Sequence, residues 1–130
     1  MAPLRTKLRK LLRSVGHPDA EVSVLFTGER AMRSLNRRYR GKDRTTDVLS
    51  FALREGMYPH IQPTVLGDIV ISLPAATRQA AEAGHPLFHE IERLLVHGLL
   101  HLLGYDHERG PHEARKMERK ERKLLKGLPR

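Results

Sequence analysis

Apolar residues recur along the chain with a helical period in some stretches and a strand period in others, and the changes between the two divide it into elements. Leu4, Leu8, Leu11 and Leu12 fall at helical spacing and predict an amphipathic helix over Leu4–Val15, closed by Gly16, Pro18 and Asp19. Val22, Val24 and Phe26 alternate across Glu21–Thr27, the pattern of a strand. A second helix is expected over Glu29–Tyr39, with Met32, Leu35, Asn36 and Tyr39 near one face. A basic loop, Arg40–Thr46, leads into a strand over Asp47–Leu53. Gly56, Pro59 and Pro63 mark Arg54–Val65 as an exposed loop, and Leu66–Leu73 reads as a strong strand through Ile69, Val70 and Ile71. Pro74–Ala83 is an alanine-rich helix ending at Gly84. Pro86 suits the first turn of the next helix, which runs through His89–Leu103 to Gly104, and Glu113–Leu125 closes the chain as a helix with a basic exterior.

This succession predicts an α+β domain. A single-layer mixed sheet of about three to four strands packs with about five helices, and the topology is left open by the short strands. Ile91, Leu94, Leu95, Val96, Leu99, Leu100, Leu102 and Leu103 make the fourth helix apolar nearly all round, so it is expected at the centre. At 130 residues, with no repeat or linker composition, residues 1–130 read as a single domain.

Composition narrows the chemistry. The chain has no cysteine, so a transition metal would have to be held by His, Asp or Glu. No apolar run reaches the roughly 18 residues of a membrane span. The net charge is +9 and unevenly spread. Residues 1–44 carry twelve Lys/Arg against four Asp/Glu, residues 45–112 four against eight, and residues 113–130 eight against three. Basic ends around a mildly acidic centre favour a polyanionic partner, although a solvated charged surface would read the same way. Met1–Gly16 has the acid-free composition of a transit peptide, but its leucine spacing favours a helix of the domain.

The densest chemical signal is His97-Gly-Leu-Leu-His101-Leu-Leu-Gly-Tyr-Asp-His107. Four residues apart on a helix, His97 and His101 stack on one face; Gly104 can end that helix in a left-handed turn and return His107 toward them. Three imidazoles leave a fourth tetrahedral position open, the usual mark of a catalytic metal site. The competing reading is three satisfied core histidines. The spacing also matches the metzincin protease scaffold, but those enzymes carry a Glu general base directly after the first His, where this chain has Gly98. Asp106 could serve as a base or hold a ligand, or simply cap a turn. Asp47, Ser50 and Asp68 are weaker candidates, with strand-end hydrogen bonding the simpler reading. His17, His60, His85, His89 and His112 do not share the motif's spacing and are not assigned as ligands.

The eleven residues from His97 to His107 resemble the signature of the YbeY family of bacterial endoribonucleases of ribosomal RNA maturation. Leu35-Asn36-Arg37-Arg38-Tyr39-Arg40, Thr46-Asp47-Val48-Leu49-Ser50-Phe51 and Leu66-Gly67-Asp68-Ile69 resemble its preceding segments in the same order. Thr45 and Ala52 stand where the family usually has Pro. The resemblance implies one zinc, or another transition metal, at His97, His101 and His107, and a functional arginine at Arg40. It also implies a cytoplasmic, single-strand-specific endoribonuclease acting on ribosomal RNA, in small-subunit 3′-end maturation and ribosome quality control. The small ribosomal subunit and assembly factors would be its partners, with no membrane. Two alternatives remain at this level: a metallopeptidase-like hydrolase on the metzincin-type scaffold, and a noncatalytic ribosome-assembly RNA-binding factor with structural zinc.

Overall fold

A computed structural model describes residues 2–53 and 64–128. Helix α1 (Ala2–Ser14) leads to β1 (Glu21–Thr27), α2 (Glu29–Arg40), β2 (Val48–Ala52) and β3 (Val65–Ser72). Helices α3 (Leu73–Ala83) and α4 (Leu87–Leu102) follow, then a 3-10 turn (His107–Arg109) and α5 (Pro111–Lys126). The α+β expectation holds, with three strands and five α-helices among the described residues. The expected loop at Arg54–Val65 falls, apart from its last two residues, outside the described residues. So does His60.

The sheet order is β1-β3-β2, with β1 parallel and β2 antiparallel to the central β3. The expected strand from Asp47 starts one residue later because the Asp47 carboxylate accepts from the Val48 amide (2.8 Å) and caps the strand end. The register slips between Glu21 and Val22, so Leu66 is the extra residue of a bulge beside Gly67. Gly67 has φ +146°, and a Cβ there would lie 2.1 Å from the Phe51 carbonyl oxygen; only glycine lets β2 approach this closely.

Ile69, Ile71 and Leu66 of β3 face α4, where they join Leu94, Leu95, Val96, Leu99 and Leu100 in the main core. Leu4, Leu11 and Leu12 of α1 and Met117 and Leu124 of α5 complete it. Val70 points to the other face of the sheet with Leu49 and, from α2, Met32. Helix α4 is thus the central helix the sequence predicts, enclosed by the sheet on one side and by α1, α3 and α5 elsewhere. Glu92, fully buried on α4, pairs with Lys7 of α1 at 2.7 Å.

Candidate metal and phosphate site

Helix α4 ends at Leu102 because Gly104 takes φ +99°, its amide donating to the His101 carbonyl while the Tyr105 amide donates to that of Leu100. The chain then turns through Asp106, whose carboxylate accepts from the Glu108 amide (2.9 Å) and caps the 3-10 turn. This reversal brings His107 back over the helix. The ring centroids of His97, His101 and His107 lie 4.8–5.3 Å apart, and one ring nitrogen from each falls within 4.8 Å of the others.

The donor set suits a metal. His97 Nδ1 donates to Glu121 Oε1 of α5 at 2.5 Å, leaving Nε2 as the bare nitrogen that faces inward. His101 Nε2 lies 3.2 Å from it. Two ligands on a tetrahedral zinc, each about 2.0–2.1 Å from the ion, stand roughly 3.3 Å apart. Burial holds His101 below the usual histidine range, and the neighbouring imidazoles of His97 and His107 disfavour a charge there further. It is therefore kept neutral, the form that ligates.

The triad forms one wall of an open cleft of about 640 Å³. Arg40, Lys42 and Arg44 line the same cleft, carried by the end of α2 and the following loop. Gly41, in the left-handed conformation, ends α2 right after Arg40. The buried Asn36 amide donates to the Arg44 carbonyl (2.8 Å), fixing the loop from below. Arg40 donates to Glu108 at 3.1 Å, with Lys42 3.9 Å from the same oxygen. The hydrogen bond from Arg40, and then the charges of Arg40 and Lys42, hold Glu108 below the usual carboxylate range. Arg40 lies close enough to the triad to depress His101 as well.

Of the weaker sequence candidates, Asp47 and Ser50 line the cleft and Asp68 does not. One Asp47 oxygen caps Val48 and the other accepts from Gln79 (3.2 Å), while Ser50 donates to the Gly98 carbonyl (2.8 Å). Both therefore hold the wall in place. Asp106 is held below the usual carboxylate range, first by the Glu108 amide. His85 and His89 sit together away from the triad, where His85 meets the buried Glu90 at 2.8 Å. Glu121 and Glu108 were not anticipated. Glu121 had left a trace in the sequence: it stands four residues after Met117 and three before Leu124, an acid on the face those residues bury.

Gly98 has a packing reason. A Cβ there would lie 2.8 Å from Ile69 Cγ2 and 3.2 Å from Ser50 Oγ, so this position faces the sheet. The metzincin-type base has no room here.

Three imidazoles that could hold a metal ion converge in one cleft with Arg40, Lys42 and Arg44, an arrangement open to an anionic ligand. The model of the family Endoribonuclease YbeY matches residues 3–129. An Endoribonuclease YbeY of Geobacter sulfurreducens is 49% identical over 123 residues, 94% of this chain and 82% of its own length. That of Geobacter metallireducens is 46% identical over 128 residues, 98% and 85% of the two chains. A solution structure of a Thermotoga maritima protein superposes with a TM-score of 0.64 at 32% identity, covering 94% of this chain and 76% of that one. The chain belongs to the YbeY endoribonuclease family. Membership sets aside the metallopeptidase-like and noncatalytic alternatives.

Proposed function

We propose that this endoribonuclease cuts single-stranded RNA at a phosphodiester seated between Arg40 and a metal held by His97, His101 and His107. By family the chain is a hydrolase of phosphodiester bonds. The observation that carries the site assignment is the presence of Arg40 and the histidine triad in one cleft. A guanidinium binds two phosphate oxygens at once and stabilises the charge that grows on them during attack. Glu121 fixes the tautomer and direction of His97. Lys42 and Arg44 extend the cationic wall along the backbone of the RNA. Zinc is the ion we assign; when bound, it supplies Lewis acidity toward the phosphate and lowers the pKa of water.

The substrate we assign is ribosomal RNA, cut in maturation of the small-subunit 3′ end and in ribosome quality control. The setting would be the cytoplasm, and the small subunit and its assembly factors the partners. The basic balance of the chain and its family support this reading. Among the described residues no helix is long and apolar enough to cross a membrane.

The test is metal content by elemental mass spectrometry beside cleavage of a single-stranded RNA. Wild type should hold about one zinc per chain and cut, and His101→Ala should lose both while remaining folded. Arg40→Ala should keep the zinc and lose about 100-fold or more in cleavage, by analogy with removing one donor to a developing anion. Metal-free protein that cuts equally well would overturn the site. A 2′,3′-cyclic phosphate on the product would identify the RNA 2′-hydroxyl as nucleophile.

A further inference from the structure

The face of α5 opposite the core is almost wholly cationic. Arg115, Arg119, Arg122 and Lys126 fall within about 60° of arc at 100° per residue and run roughly 16 Å along the helix. All four are exposed, with Lys116, Lys120 and Lys123 beside them. None of these seven forms an ion pair among the described residues; Lys116 lies 5.9 Å over the Tyr105 ring.

The fold does not account for this stripe. Like charges four apart, such as Arg115 with Arg119 and Arg122 with Lys126, destabilise a helix. Lys123 and Lys126 gain from the negative end of the helix, but Arg115 and Lys116 lie toward its positive end and gain nothing. A membrane is a poor match, because the apolar residues of α5, Met117 and Leu124, are spent in the core and leave no face to insert. The helix also borders the site: it starts two residues after the turn that carries His107, and its Glu121 touches His97.

We infer that this stripe is a second RNA-binding surface, outside the cleft, which holds the phosphate backbone of the substrate beyond the cut bond. The inference rests on the RNA reading of the cleft and adds a length requirement to it. Short RNA would meet only Arg40 and its neighbours, whereas longer RNA would reach α5 and gain affinity that falls with salt.

The experiment measures binding by the zinc-loaded protein, by fluorescence anisotropy read before the probe is cut. The probes are a labelled 20-nucleotide oligouridylate and, as competitor, a uridine tetranucleotide. The variant carries Arg115→Gln, Arg119→Gln and Arg122→Gln together; its counterpart carries Lys at the same three positions, and both are checked for unchanged melting. The Gln variant should bind the 20-mer roughly 10- to 100-fold more weakly, with a salt slope smaller by about 2, and bind the tetranucleotide as wild type does. The Lys variant should retain the wild-type slope. Arg40→Ala should weaken both probes. An unchanged 20-mer slope would overturn the proposal and leave the stripe to solvent or to an acidic protein. Equal loss on both probes would also overturn it, since the stripe would then be acting through the cleft. A wild type that binds neither probe removes the RNA reading itself, and this surface with it.

Discussion

Gly98 follows His97 in α4 and Glu121 hydrogen-bonds to that histidine, and each position is set by what α4 touches there. At Gly98 the helix lies against Ile69, Val48 and Ser50 with no space for a methyl group. Gly98→Ala should therefore lower stability by about 1–3 kcal/mol, the cost of overpacking a filled core, as read from denaturant melts. Gly67→Ala should cost more, because its new atom would meet the Phe51 backbone carbonyl rather than a movable side chain. Glu121 acts through His97. Glu121→Gln should weaken metal binding about 10- to 100-fold in competition with a chelator while leaving the melting of the metal-free protein nearly unchanged. Loss of the fold instead would make Glu121 a packing residue.

Among the elements, the junction of α3, α4 and β2 is tied by a chain of polar side chains. Buried Glu90 accepts from Arg93 (2.5 Å) and meets His85 (2.8 Å); Arg93 also reaches Gln79 (3.3 Å), which donates to Asp47 at the start of β2. Burial by itself would raise Glu90, but its hydrogen bonds from Arg93 and His85 outweigh this and hold it below the usual carboxylate range. A depressed carboxylate adds stability above its unfolded pKa and loses it as pH falls through the lower folded value. Unfolding free energy should therefore drop below about pH 4.3, the ordinary glutamate value, and Glu90→Gln should flatten part of that drop. An identical acid limb in the two proteins would show that Glu90 takes no part.

For the molecule as a whole, the core closes without the histidine triad, since the buried cluster joins α1, β3, α4 and α5 through aliphatic side chains. Chelation should abolish cleavage yet leave circular dichroism near that of the wild type. Unfolding on metal removal would point instead to a structural ion. The +9 charge should also make RNA binding weaken steeply with added salt.

The local features were legible in the chain alone. Periodicity placed every helix and strand within a few residues. The spacing of His97, His101 and His107 around Gly104 marked the candidate metal site, and ordered motifs marked the family. These are readable because helix faces, strand alternation and glycine turns depend on near neighbours in the chain. Packing of the folded chain set what depends on distant ones. It set β3 between β1 and β2, and it gave Gly98 a packing role where the sequence had shown only the lack of a base. It also brought Glu121 from 24 residues away to His97, and Glu108 from 68 residues away to Arg40. No local pattern carries such pairings, because they arise only when packing of the core brings separate elements together.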